Sequence, residues 1–156
     1  MNTCLPHHLS RSAKIALSWL AVAVMAAAIF WMSANSGESI NSGLGIVSVI
    51  KGMLSAGAQW IFGHEVDVSP VGHFTEYLVF GALLFNALRF HLNPRTALLA
   101  ALVIGSLYGI TDEWHQLFVP SRSCDPADWA VDTVATLVGS ALTRFGFRKT
   151  KTPNDK

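Results

Sequence analysis

The sequence predicts an all-α polytopic membrane protein with four transmembrane helices in a bundle, and two observations lead to this class. First, 51% of the 156 residues are hydrophobic and only 13% are charged, which leaves too little charge to cover a water-facing surface. Second, the apolar residues are gathered into runs close to the roughly 20 residues that a helix needs to cross a bilayer. The length suits a single domain.

The first predicted span is residues 15–32, an uncharged run that follows a polar N-terminus, residues 1–14, with Arg11 and Lys14. A cleaved secretory signal peptide begins in a similar way. This run is longer than a typical signal core, and Met32 places a bulky side chain where the cleavage site needs small ones. We therefore expect a retained transmembrane helix.

The longest predicted connection is residues 33–70, which opens with the small polar residues typical of turns and caps. From 44 to 62 an apolar pattern returns, interrupted by Lys51, two glycines and Gln59. This pattern favours a short amphipathic helix in the first outer loop, lying at the membrane interface or packed over the mouth of the bundle, over a further span.

The remaining predicted spans are residues 71–88, 97–118 and 129–145, followed by a disordered cytoplasmic tail at 146–156. With the N-terminus in the cytoplasm, nine of the eleven Lys and Arg residues lie on inner segments, and only Lys51 and Arg122 lie outside. Such a bias is the positive-inside pattern, which predicts that both termini are cytoplasmic. Gly105, Ser106 and Gly109 form a small-residue face that should pack the third span closely against a neighbour.

Two classes of function find no support in the sequence. Cys4 and Cys124 form no CxxC motif, so a zinc or redox cysteine site is not indicated. No basic patch with interleaved aromatic residues is present, so nucleic acid is not an expected partner.

Polar and ionisable residues are densest between 105 and 128, a stretch that holds four of the ten acidic residues. The i, i+3 and i+4 spacing of these and neighbouring positions gives each of three spans one polar face at its outer end. Ionisable groups in a membrane cost about 2.5 to 3.5 kcal/mol each, so they should turn inward and meet. The predicted outer-side pocket contains Asp112, Glu113 and His115 as candidate catalytic residues and His73, Glu76, Tyr77, Gln116, Arg122, Asp125, Asp128 and Asp132 as binding residues.

The stretch 108–123, followed by three aspartates and Gly139, resembles the signature of the VanZ-like membrane proteins. The segments 73–77 and 31–42 match as well, and the resemblance covers residues 15–143. It implies a small multi-span protein of the bacterial cytoplasmic membrane, in a family whose name-giving member is associated with low-level teicoplanin resistance. This chain departs from the family pattern at four positions, with Pro70 for Lys, Ser121 for Gly, Asp132 for Asn and Ala135 for Gly.

The first interpretation of the pocket is ligand binding. An acid-rich site can hold a cationic or amide-rich headgroup, so the partners we expect, besides membrane lipid, are an envelope lipid, a lipid-linked wall precursor or a glycopeptide-type ligand. The glycopeptide-type ligand and a link to antibiotic resistance are what the resemblance to the VanZ-like family implies. Four spans are few for a lone transporter, so transport would require an oligomer.

Two other interpretations use the same residues. A histidine with carboxylates can act as an acid/base pair or bind a divalent metal, which would give a membrane hydrolase of a lipid-linked envelope substrate. The spacing of Glu113 and His115 is not the His-Glu-x-x-His of zinc proteases, so the sequence specifies neither metal nor cofactor. Alternatively, Arg122 pairs with Asp125 or Asp128, and His73 with an acid of the third span, only to fix the order of the helices.

Overall fold

The computed structural model describes residues 9–34, 69–120 and 122–149, together with the single residues 53, 56, 59, 60 and 63. These residues contain helices and no strand, which confirms the all-α prediction. The helices are α1 (Arg11–Ser33), α2 (Ser69–Leu88), α3 (Pro94–Gln116) and α4 (Pro126–Lys149). The predicted amphipathic helix at 44–62 lies almost entirely outside the described residues, as do residues 1–8 and 150–156.

Three of these helices are long and apolar enough to cross a membrane: α1, α2 from Pro70 to Leu88, and α3. The fourth, α4, has 24 residues and so extends over about 36 Å. It is less apolar, because it carries acidic residues near its start and basic residues near its end. The length of α4 is consistent with the predicted fourth span, but its composition alone does not identify it as a membrane-spanning helix.

Capping residues set helix boundaries that differ from the predicted spans by a few residues. Asn93 caps α3 by accepting hydrogen bonds from the backbone N–H groups of Arg95 (3.2 Å) and Thr96 (3.0 Å), so the helix begins at Pro94 rather than 97. At its other end α4 continues to Lys149. The predicted disordered tail therefore begins too early, because residues 146–149 extend the helix.

α2 lies at the centre of the bundle and packs against the other three helices, most extensively against α4. The close approach depends on two glycines. A Cβ atom on Gly81 would collide with the backbone of Thr136, and one on Gly139 would collide with the backbone carbonyl of Leu78. Small residues at such crossings allow helices in a membrane to pack backbone against backbone.

The small-residue face predicted on α3 also packs as expected. A Cβ on Gly105 would meet the side chain of Thr136, and one on Gly109 would meet Asp132 and Trp129 on α4. The Ser106 hydroxyl accepts a hydrogen bond of 3.0 Å from Thr133. This contact brings the acidic end of α3 against the start of α4.

The apolar core lies around α2, and large apolar side chains also cover the outside of the bundle. The core is formed by Tyr77, Phe80, Leu84 and Phe85 of α2 with smaller contributions from the other helices. The exposed apolar residues include Leu20, Val24, Val103, Leu107 and Leu142. An apolar exterior of this extent suits contact with lipid rather than water.

Candidate functional site

Four ionisable side chains from three helices converge at one end of the bundle. His73 comes from α2, Asp112 and Glu113 from α3, and Asp132 from α4; we call them the acidic cluster. One ligating atom from each residue lies within 4.8 Å of the others, and all four side chains are buried. The three helices thus contribute to one site, in the arrangement that the spacing of the polar residues predicts.

One hydrogen-bond contact inside the acidic cluster joins His73 and Asp132. The Nδ1 atom of His73 lies 3.1 Å from Oδ1 of Asp132, and Asp132 is completely buried. One turn earlier on α4, Oδ2 of Asp128 lies 4.0 Å from Nε2 of His73. The imidazole is therefore placed between two carboxylates of α4, whereas pairing with an acid of α3 was the predicted alternative.

Polar groups of α3 and of the loop after it hold the other two acids. The Nε2 group of Gln116 lies 3.5 Å from Oδ2 of Asp112 and 3.5 Å from Oε1 of Glu113. The second oxygen of Glu113 accepts a 2.7 Å hydrogen bond from the backbone N–H of Asp125. Glu113 therefore ties the end of α3 to the start of α4.

The side chain of Asp125 contributes to the helix cap rather than to the acidic cluster. Its Oδ1 accepts a hydrogen bond of 2.8 Å from the backbone N–H of Ala127, and the residue is exposed. An aspartate at this position stabilises the first turn of a helix. Only its backbone N–H reaches the acidic cluster, through Glu113.

A half-buried rim surrounds the acidic cluster, consisting of Glu76, His115, Arg122 and Asp128. Glu76 lies within electrostatic range of three residues of the acidic cluster, His73, Asp112 and Asp132, and of Arg122 on the rim. Arg122 is thus a counter-charge within electrostatic range of Glu76. The rim residues are the part of the site that remains partly accessible from the end of the bundle.

His115 occupies a different position from the other candidate catalytic residues. Its ring stacks on Phe30 of α1, with centroids 4.4 Å apart and planes 26° apart. Its Nε2 atom is buried without a hydrogen-bond partner. Asp112 and Glu113 belong to the acidic cluster, while His115 lies beside it, and His73 is the histidine within it.

Several buried polar atoms near the acidic cluster lack a hydrogen-bond partner, and two of them belong to the most deeply buried residues of this region. These are Oδ2 of Asp132 and the hydroxyl of Tyr77, and both residues are 0% exposed. Tyr77 lies within electrostatic range of Asp112 and Asp132. A buried polar atom without a partner costs about 1 to 3 kcal/mol, so each of these atoms is available to a bound polar group or ion.

Sequence reasoning missed the contribution of α1. Ser33, at the end of α1, is buried next to Asp112, and Phe30 provides the ring beneath His115. The available signal was the i, i+3 spacing of these two residues at the outer end of the first span. Asp132 was included among the pocket residues, but nothing in the sequence marked it as the partner of His73.

The acidic cluster combines one imidazole and three carboxylates in a place with little access to water. Several negative charges cannot stay together in a low-dielectric site without a proton or a cation to offset them. The arrangement can therefore hold protons, a metal ion or a cationic group, and an imidazole paired with a carboxylate can transfer a proton.

Comparison with known proteins identifies a family. The sequence model of the VanZ/LLP1 family matches residues 18–147, a range that includes most of α1 and α4 and all of the acidic cluster. No curated protein and no solved structure matches the chain. The family match covers most of the chain and confirms the resemblance carried by the stretch 108–123, so this membrane protein belongs to the VanZ/LLP1 family.

Proposed function

We propose that this protein resides in the bacterial cytoplasmic membrane and binds a polar headgroup from the outer leaflet at the acidic cluster. The ligand class is an envelope lipid, a lipid-linked wall precursor or a glycopeptide. Sequestration of such a ligand would link the protein to antibiotic resistance. The observation that carries the proposal is the buried convergence of His73, Asp112, Glu113 and Asp132 from three helices.

The cost of this arrangement supports a functional role. Ionisable residues at membrane depth cost about 2.5 to 3.5 kcal/mol each on insertion scales. A network that served packing alone should satisfy all its members, because a half-satisfied buried network destabilises the fold. The unpartnered Oδ2 of Asp132 and hydroxyl of Tyr77 therefore favour a ligand site over a packing device.

Charge indicates which ligand group would enter. Three of the four residues of the acidic cluster are acidic, so an ammonium or amide N–H group is complementary to it. Arg122, on the rim near Glu76, suits an anionic group on the same ligand. Zwitterionic lipids and lipid-linked wall peptides carry an amine and a phosphate or carboxylate on the same molecule.

The opposite end of the bundle supports the proposed orientation. Arg11 donates a hydrogen bond of 3.3 Å to the backbone carbonyl of Phe90, so the start of α1 lies beside the end of α2. Arg95 opens α3, and Arg144 and Arg148 lie near the end of α4. With the basic end in the cytoplasm, the acidic cluster faces the outer leaflet, both termini are cytoplasmic, and α4 is the fourth span.

A second candidate function is hydrolysis of a lipid-linked envelope substrate. The observation that favours it is the His73–Asp132 contact of 3.1 Å, in which the carboxylate fixes the orientation of the imidazole. Such a pair next to further carboxylates is a common acid/base arrangement. Turnover distinguishes this candidate from simple binding.

The test is ligand binding by the detergent-purified full-length protein. We expect saturable binding of a lipid-linked wall precursor or a glycopeptide, weakened about ten-fold or more by Asp112→Asn, the effect of losing a charged hydrogen-bond partner. Thr111→Val is the matched control, because the exposed Thr111 hydroxyl only donates to the backbone carbonyl of Tyr108 in its own helix. Mass spectrometry of the bound ligand then detects any hydrolysis product. Failure of the folded wild-type protein to bind any of these ligands would refute the proposed function.

A further inference from the structure

We propose that the acidic cluster is a binding site for one divalent cation of the first transition row, with Mn²⁺ the best fit. This inference concerns the same site as the proposed function. It rests on the donor atoms alone, and cation binding is measurable without any organic ligand. The two proposals can therefore fail separately.

The donor set consists of one imidazole nitrogen and three carboxylates, from His73, Asp112, Glu113 and Asp132. Carboxylates suit Mg²⁺, Ca²⁺ and Mn²⁺, whereas imidazole suits Zn²⁺, Fe²⁺ and Cu²⁺. Ca²⁺ requires six to eight oxygen ligands and Mg²⁺ usually keeps several waters. A buried mixture of one nitrogen and three oxygens therefore favours Mn²⁺, with Fe²⁺ and Zn²⁺ as its chemical neighbours.

The separations between the donor atoms match those of a coordination sphere. Two ligand atoms about 2.1 Å from a shared ion lie about 3 Å apart when adjacent and about 4.2 Å apart when opposite. The four donor atoms all lie within 4.8 Å of one another. Small side-chain rotations would close the remaining gap.

An orphaned oxygen gives a second, independent observation. Oδ2 of Asp132 is buried without a hydrogen-bond partner, in a residue that is 0% exposed. Its sister oxygen Oδ1 is already engaged by His73. Oδ2 is thus a lone acceptor enclosed in protein, which a cation would satisfy.

The surrounding contacts resemble the outer shell of a metal site. Ligating carboxylates in such sites are themselves hydrogen-bonded, which fixes their orientation. The Gln116 amide lies 3.5 Å from both Asp112 and Glu113, and the backbone N–H of Asp125 holds Oε2 of Glu113 at 2.7 Å. The second contact leaves Oε1 of Glu113 to face the other donors.

Charge balance points the same way. With a neutral imidazole and three ionised carboxylates the site carries three negative charges, and a divalent cation reduces this to one. Glu76, Asp128 and Arg122 face the site from the rim, adding two acids and one base. The surrounding charge therefore attracts a cation rather than repelling it.

The experiment is metal analysis of the full-length protein, purified in detergent with an affinity tag that contains no histidine. We expect about one transition-metal ion per chain after equilibration with Mn²⁺, and a rise of several degrees in the unfolding midpoint because only the folded state binds it. Asp132→Asn and His73→Gln should weaken Mn²⁺ binding by about ten-fold or more. Thr111→Val is the control, because the exposed Thr111 hydroxyl only donates to the backbone carbonyl of Tyr108 in its own helix.

The outcomes separate cleanly. The proposed site would be refuted if folded Asp132→Asn and His73→Gln proteins still bound Mn²⁺. It would also be refuted if the wild-type protein bound no transition metal and was not stabilised by Mn²⁺, Fe²⁺ or Zn²⁺. If the two variants fail to fold, the wild-type stabilisation by each ion decides alone. Metal binding without any envelope ligand would support this inference while the proposed function fails.

Discussion

His73 on α2 and Asp132 on α4 are 59 positions apart in sequence, yet Nδ1 of the histidine lies 3.1 Å from Oδ1 of the aspartate. This contact joins the two helices that pack most extensively. It fixes the imidazole in the middle of the acidic cluster, between Asp132 and Asp128. The site therefore depends on the register of α2 against α4.

The first prediction concerns this pair. Asp132→Ala leaves His73 buried without its partner and should lower the free energy of unfolding by about 1 to 3 kcal/mol. His73→Ala should cost a similar amount, and the double variant should cost less than the sum of the two. A double-mutant cycle measured by unfolding in detergent checks this. Strict additivity would show that the two side chains do not interact.

The second prediction concerns the crossing of α2 and α4. Gly139→Ala places a methyl group against the backbone carbonyl of Leu78, and because backbone cannot move aside as a side chain can, the free energy of unfolding should fall by about 1 to 3 kcal/mol. Gly146→Ala on the same helix meets nothing within 4 Å and should be neutral or stabilising by up to about 1 kcal/mol. Equal thermal stability of the two variants would contradict the packing.

The third prediction compares two tyrosines. Tyr108 donates a hydrogen bond of 2.7 Å from its hydroxyl to the backbone carbonyl of Ala26 on α1, so Tyr108→Phe should cost about 1 kcal/mol. The buried hydroxyl of Tyr77 has no partner, so Tyr77→Phe should be neutral or stabilising in ligand-free protein. Thermal unfolding of both variants measures the difference. The opposite order of stabilities would mean that the two hydroxyls are wrongly assigned.

The fourth prediction concerns orientation. Cys124 is exposed in the loop between α3 and α4, close to the acidic cluster. If this end faces outward, a membrane-impermeant maleimide should label Cys124 in intact spheroplasts without permeabilisation. The Cys124→Ser variant, which retains only Cys4, should remain unlabelled until the membrane is opened. Labelling that requires permeabilisation in the wild type would reverse the proposed topology.

The sequence predicted the all-α class, the positions of the four described helices, and that the polar residues of each of three helices share one face. These features can be predicted because helical periodicity and the length of an apolar run are local properties of the sequence. It did not predict that Asp132 rather than an α3 acid pairs with His73. The spacing of residues along one helix predicts which of them share a face. Which residues of two helices meet depends on how the helices cross, and α2 and α4 cross closely at Gly81 and Gly139.

The role of Asp125 as a helix cap and the contribution of α1 to the site were also not predicted from the sequence. A carboxylate before a helix is an expected cap, but its nearness to other acids made it look like a pocket residue. Ser33 and Phe30 carry no charge, so their i, i+3 spacing was the one signal available, although Ser33 is buried near Asp112 and Phe30 stacks on His115.

The most direct test of the central claim measures stability and ligand binding on the same preparation of Asp112→Asn. Residues placed for binding rather than for folding often reduce stability, and the substitution removes one negative charge from a crowded acidic site. We therefore predict an unchanged or higher unfolding midpoint together with loss of binding to lipid-linked wall precursors or glycopeptides. A lower midpoint with full retention of binding would show that Asp112 belongs to a packing network and would contradict the account.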